Sequence, residues 1–179
     1  MTTLIIIVVF SFLALLFLYR AARGHSAVIK SLGDLEGQTK PVDLPAFQNL
    51  ISAEEELFLR ENLSPGDFRQ VQRLRMLAAL DYVRRTAHNA AVLLRLGEAA
   101  RASSDPHIAQ AGQELMNSAL HLRMIAMLAQ IQLYARVLLP TVQLSPDKLV
   151  KDYRSLTERV ARLCQLESPA QVSRVTATL

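Results

Sequence analysis

The longest uninterrupted apolar run of the chain covers residues 2–19, which read TTLIIIVVFSFLALLFLY and carry no charge. A helix of this length rises about 27 Å, close to the thickness of the hydrocarbon layer of a bilayer. A cleavable signal peptide has a basic start and a shorter apolar core, whereas here Arg20 and Arg23 follow the run directly. The pattern predicts an uncleaved transmembrane helix, with residues 4–19 in the lipid bilayer and residues 1–23 as the anchor.

The basic residues also predict an orientation. Arg20, Arg23 and Lys30 follow the run, and no Lys or Arg precedes it. Positive residues stay on the cytoplasmic side of a span. The sequence therefore predicts a single-pass protein of the cell membrane whose C-terminal domain is cytoplasmic.

After the anchor, apolar residues recur at helical spacing behind short segments that are typical of helix starts. These starts are Ser52 with Glu55 three residues later, Ser64-Pro65, Asp105-Pro106 and Ser145-Pro146. They predict a short helix over 53–62 and long helices over 65–102, from 106 to about Pro140, and from 147 to about Leu166.

The arrangement of these helices follows from their stripes and their connections. Met76, Leu80, Val83, Ala87, Ala90, Leu94 and Gly97 form one stripe, and similar stripes run from Ile108 to Leu133 and from Leu149 to Leu163. Alanine and glycine on a stripe allow helix axes to approach closely, and short connections make neighbouring helices antiparallel. The predicted fold is all-α: the transmembrane helix and an up-down antiparallel bundle of three long helices plus a short one. The bundle covers residues 45–167, after a juxtamembrane linker (24–44) and before a flexible tail (168–179).

One part of the second long helix, Met124 to Leu139, is apolar nearly all round. Such a helix lies at the centre of a bundle or covers a partner surface. We favour the bundle centre. The alternative is that Met124, Met127 and Leu128 form an interaction face for a protein partner or for self-association.

Composition and charge refine this picture. With 6 Gly, 7 Pro and no Trp among 179 residues, the chain favours helix over sheet. Its single cysteine, Cys164, excludes an intramolecular disulfide and is expected to pack in the core. Residues 31–67 contain eight acids and two bases, and residues 68–101 contain seven bases and two acids. We expect these neighbouring segments to neutralise each other within one fold.

Two pairs of polar side chains become neighbours if the two longest helices form an antiparallel hairpin with residues 102 and 107 level. Arg95 then faces Glu114 as an ion pair, and His88 faces His121. The position where the two histidines face each other is a weak candidate for a metal or small-ligand site, because a metal needs three or four converging ligands. The alternative interpretation is a polar strip that flanks the core.

No other chemistry stands out. There is no glycine-rich phosphate loop and no nucleophile beside a base, so no catalytic residue and no cofactor is predicted. The arginine-rich helix could contact an anionic surface, but it lacks the interleaved aromatics of a nucleic-acid site, and nucleic acid is an unlikely partner. The sequence thus favours a membrane-anchored helical scaffold or interaction module, more likely not an enzyme. One alternative is metal or small-ligand binding where His88 and His121 face each other. The other is binding of an anionic surface through the arginine-rich helix.

Overall fold

A computed structural model of the chain describes residue 35 and the ranges 37–138 and 147–167. The predicted anchor, residues 24–34 and 36 of the linker, residues 139–146 and the tail lie outside these residues. The described part is all-helical and forms a helical bundle, without strands. Its helices are α1 (Leu44–Ile51), α2 (Ala53–Asn62), α3 (Pro65–Arg101), α4 (Pro106–Leu138) and α5 (Asp147–Glu167).

Within the same residues, no helix combines the length and the apolar character needed to cross a membrane.

The predicted helix starts are confirmed where the structure describes them. The backbone N–H of Glu55 donates to Ser52 Oγ at 3.4 Å, and that of Asp67 donates to Ser64 Oγ at 3.3 Å. These hydroxyls satisfy backbone donors that lack a partner in the first turn of a helix. The short helix begins and ends at the predicted residues, and α3 ends one residue before the predicted end.

The bundle has two short helices where the sequence predicted one. Asp43 caps α1 by accepting the N–H of Ala46 at 2.9 Å, and Pro45 lies in the first turn. The sequence prediction ends the linker at residue 44 and places no helix here, although Asp43 and Pro45 repeat the acid-and-proline pattern of the other helix starts. Phe47 is buried, and its ring contacts that of Tyr82 with 5.9 Å between centroids. Helix α1 thereby packs on α3.

The closest packing in the bundle joins α3 and α4. A Cβ atom at Gly97 would lie 2.9 Å from Gly112 O and from Met116 N, and one at Gly112 would lie 2.6 Å from Arg101 N. The two backbones therefore touch where both helices carry glycine. The contact confirms the antiparallel hairpin and the close approach that the stripes predict.

The third long helix, α5, packs antiparallel on α4. Arg159 contacts Glu114. Asp152, about two helical turns earlier in α5, faces His121, about two turns later in α4.

The predicted stripes supply most of the core, but in α3 Leu93 and Leu96 are fully buried, whereas Leu94 of the predicted stripe is only half-buried. The largest fully buried side chains of the core include Met76, Val83, Leu93, Leu96, Leu115, Leu122, Leu156, Val160, Leu163 and Cys164.

The glycine contact can be tested by adding one methyl group. Gly97→Ala and Gly112→Ala are each expected to lower the free energy of unfolding by about 1–3 kcal/mol, because the methyl would overlap backbone atoms that cannot move independently. Urea unfolding of the full chain in detergent, followed by circular dichroism, measures the change.

Gly66→Ala is the matched control, because its Cβ would approach only Ser64 Oγ, at 3.9 Å. We expect this variant to be as stable as the wild type or slightly more stable, since alanine favours helix over glycine. Equal losses of stability in the three variants would contradict the close contact.

Candidate functional site

The two candidate histidines contact different parts of the chain. His88 Nε2 lies 2.8 Å from the carbonyl oxygen of Gln38, in the segment before α1. His121 Nε2 lies 3.6 Å from an Asp152 carboxylate oxygen on α5. Among the described residues, no three His, Cys, Asp or Glu side chains are grouped as a metal ion requires. Each histidine has its own neighbour, and these contacts do not join the two into one site.

Arg95 and Glu114, which were predicted to face each other across the hairpin, also contact different partners. Arg95 Nη1 contacts Glu98 of its own helix at 3.4 Å. Glu114 Oε2 contacts Arg159 at 3.2 Å and Arg162 at 3.7 Å. Glu114 is thus on the side of α4 that faces α5, and its charge contributes to the docking of α5.

A buried amide that sequence reasoning did not select connects three parts of the fold. Asn89 of α3 is fully buried, and its Oδ1 accepts the backbone N–H of Lys40 at 2.8 Å. Its Nδ2 donates to Lys40 O at 2.7 Å and to Tyr153 Oη at 2.8 Å. The amide pairs with both backbone groups of one residue, as another peptide group would. No local sequence pattern marks such an amide, because its partner is the backbone of a distant residue.

The same contacts dock the chain segment that precedes α1. Leu35 is buried, and residues 38 and 40 are hydrogen-bonded to α3 through His88 and Asn89. In the sequence these residues belong to the predicted linker of residues 24–44. The described part of that linker lies against the bundle.

A second polar cluster attaches α2 to the other end of the hairpin. Arg136 Nη2 of α4 lies 2.6 Å from Glu56 Oε2, and the two side chains are 9% and 18% exposed. Gln72 Nε2 donates to the same oxygen at 3.0 Å, and Arg75 Nη2 donates to Asn49 O at 3.0 Å. Such a shielded ion pair fixes position more than it adds stability, because desolvation opposes the attraction.

The Glu56 cluster bears on the expected neutralisation between the acidic segment (31–67) and the basic segment (68–101). Among the described residues, no ion pair joins the acidic segment to the basic one: Glu56 pairs with Arg60 and with Arg136 of α4. Burial lowers the pKa of Arg75, and the charges of Glu55 and Glu56 oppose that shift. The ion pair that Glu56 makes outside its own helix thus joins the acidic segment to α4, and the predicted neutralisation between the two segments is not seen as ion pairs in the part of the chain that the structure describes.

A position at the bundle centre predicts that the apolar stretch of α4 beginning at Met124 is buried all round, but only one side of it is buried. Ala126, Ala129 and Leu133 are buried against the rest of the bundle. On the outer side, Met124 is 62% exposed and Leu128 is 54% exposed, while Met127 is half-buried. The bundle-centre interpretation therefore applies only to the inner side of this stretch, and the interaction-face residues lie on the outside.

Other large apolar side chains are exposed on α4 and on α3. They are Leu120, Ile131 and Tyr134 on α4, and Leu74 and Leu77 on α3. Tyr134 is held by Arg84, which hydrogen-bonds its hydroxyl and lies over its ring at 5.9 Å. The exposed row on α4, with Leu120, Met124, Met127, Leu128, Ile131 and Tyr134, is called the α4 outer seam below.

An open cleft of about 300 Å³ lies between α1 and α5. Gln48, Lys151, Arg154 and Glu158 line it. Its charges are mixed and it is open to solvent, so it does not resemble the mostly apolar, enclosed pockets of small-molecule sites.

Comparison with models of known protein families, with curated proteins and with solved structures finds no match to this chain.

The Asn89 cluster predicts the effect of removing one amide. Asn89→Ala is expected to lower the free energy of unfolding by about 2 kcal/mol, because the Tyr153 hydroxyl and the Lys40 peptide lose a buried partner. Hydrogen exchange should accelerate at the Lys40 amide in particular. Asn62→Ala is the control, since the Asn62 side chain bonds only to Phe58 O on an exposed helix. Unchanged exchange at Lys40 would contradict the docking of this segment.

The buried phenol predicts a dependence of stability on alkaline pH. Burial raises the pKa of Tyr153, and the hydrogen bond from Asn89 lowers it to a smaller extent. The folded chain therefore holds the phenolic proton more tightly than the unfolded chain, in which tyrosine has a pKa of about 10. The stability from this group is complete below about pH 10 and is lost as the pH rises toward the folded pKa.

Unfolding free energies measured between about pH 8 and pH 11 check this sign. Tyr153→Phe is expected to flatten the decline at high pH, and Tyr134→Phe, on the exposed seam, should retain it. An equally steep decline in Tyr153→Phe and in the wild type would show that another group is responsible.

Proposed function

We propose that this chain is a membrane-anchored helical scaffold or interaction module. Residues 4–19 hold it in the bilayer, and the bundle lies on the cytoplasmic side. The observation that carries this proposal is the uncharged run of residues 2–19 followed at once by Arg20 and Arg23. The bundle supplies the second part of the function, a folded domain with exposed apolar side chains on α4.

The docked segment before α1 supports a bundle that stays close to the bilayer. Leu35 is already buried in the bundle, so only residues 20–34 separate it from the end of the proposed span. Fifteen residues reach at most about 50 Å even when fully extended. A partner at or near the membrane is therefore within reach of this domain.

Insertion can be tested with charges at the centre of the proposed span. Wild-type chain expressed in bacteria should remain in the membrane pellet after alkaline carbonate extraction, and its mass should show an intact N-terminus. Phe10→Arg with Leu13→Arg is expected to release most of the chain, since each arginine costs about 2.5–3.5 kcal/mol or more at a bilayer centre. Leu57→Arg with Phe58→Arg, at exposed positions of α2, is the matched control and should stay in the pellet.

The orientation is read with a cysteine at Ser155, which is exposed on α5. In intact spheroplasts, Ser155→Cys should react with a membrane-impermeant maleimide only after lysis. Reaction before lysis would reverse the proposed orientation, and a wild-type chain extracted by carbonate would contradict the anchor.

A further inference from the structure

We propose that the α4 outer seam binds the same seam of a second copy of this chain, so that two anchored chains pair through α4 on the cytoplasmic side of the bilayer. This inference rests on the proposed membrane anchoring, because the size of the seam makes pairing depend on both copies sharing one bilayer.

The spacing of the seam is that of a helix–helix contact. Leu120, Met124, Met127, Ile131 and Tyr134 follow one another at steps of four, three, four and three residues. This is the spacing of the apolar positions that meet in a coiled coil. The seam is separate from the inner stripe of α4, whose members Leu122, Ala126 and Ala129 are buried in the bundle. A helix with two such stripes is built to pack on both sides.

The charges around the seam favour an identical partner. Between residues 115 and 135, the only Lys, Arg, Asp or Glu is Arg123, which is half-buried at the edge of the seam. Gln130 beside the seam is uncharged, and Arg84 of α3 contacts the seam at its Tyr134 end. Two copies can therefore meet face to face, as in a twofold interface, without opposing like charges at its centre.

A lipid surface fits this helix less well than a second copy does. Helices that lie in a bilayer surface have a broad apolar face and a polar, usually basic, opposite face. The side of α4 opposite the seam is not polar but packs in the core through Ala126 and Leu133.

The area of the seam explains why anchoring matters. Five side chains of the seam are 44–62% exposed and Met127 is half-buried, so covering all six would bury about 500 Å² per copy and about 1,000 Å² per pair, the threshold of a specific interface. Such a contact is weak between freely diffusing molecules. Confinement of both copies in one bilayer raises their effective concentration, as linking two binding modules does.

Cysteine cross-linking of the full chain in proteoliposomes tests this pairing. Met124→Cys, Met127→Cys and Ile131→Cys are made singly and treated with a short bis-maleimide. The native Cys164 is fully buried, so the wild type serves as the blank. At least one seam variant, or Met124→Cys mixed with Ile131→Cys, should give covalent dimer at about ten times the yield of Ser155→Cys on α5.

A charge on the seam should separate the copies. Leu128→Glu, added to the best cross-linking variant, is expected to reduce the dimer about tenfold, because two carboxylates would meet in an apolar contact. Leu57→Glu is the matched control, since Leu57 is equally exposed but lies on α2. Its dimer yield should be unchanged.

Each result has a distinct meaning. Chains that stay in the vesicles but cross-link no better at the seam than at Ser155 overturn the pairing and leave the anchor intact. Dimers that form through the seam in chains that carbonate extracts support the contact between seams but overturn the anchor, and with it the dependence of pairing on a shared bilayer. Quenching of a fluorophore at Met124 by spin-labelled lipids, without dimers, would assign the seam to the lipid surface and also overturn the pairing.

Discussion

The backbone contact between α3 and α4 at Gly97 and Gly112 sets the frame on which the other described elements pack. Because no side chain separates the helices there, the hairpin cannot slide or rotate without a clash. Helix α5 docks on one flank of this frame through Glu114, and α1 docks on α3 through Phe47. Among the described residues, α5 and the two short helices do not enclose this hairpin completely. The outer side of α4 is left uncovered by them, with a row of apolar side chains exposed.

Polar contacts decide where the remaining segments lie. Asn89 binds a backbone segment that has no regular structure of its own, and Glu56 with Arg136 holds α2 at the end of the hairpin. Each contact is specific because a buried polar group without its partner is costly. As a result, residues 35 and 37–40 lie against the bundle, and only residues 20–34 separate them from the proposed span. This geometry connects the two halves of the proposed function, a span in the bilayer and an interaction surface near it.

The sequence predicted those parts of the fold that depend on local chemistry. Ser52 and Ser64 begin helices because their hydroxyls cap nearby N–H groups, and the stripe through Val83 and Gly97 is buried because its spacing matches the helix period. Contacts between distant residues could not be predicted in this way. Glu114 contacts Arg159 and not Arg95, and Asn89 binds Lys40. Both contacts depend on the rotation of each helix about its axis and on where the chain folds back onto α3, which local sequence patterns do not show. The outer side of α4 was open to two interpretations, since an apolar helix looks the same whether or not a neighbour covers it. The exposed positions of Met124 and Leu128 distinguish them.

The central claim, an anchored chain that pairs through α4, is tested most directly by counting copies in a bilayer. Full-length chain labelled with one fluorophore at Ser155→Cys is reconstituted at low density into supported membranes, and the bleaching steps of each mobile spot are counted. We predict that most spots diffuse in the plane of the membrane and bleach in two steps, after correction for labelling efficiency. Spots that bleach in a single step at every density, or chain that washes off the membrane, would contradict the account.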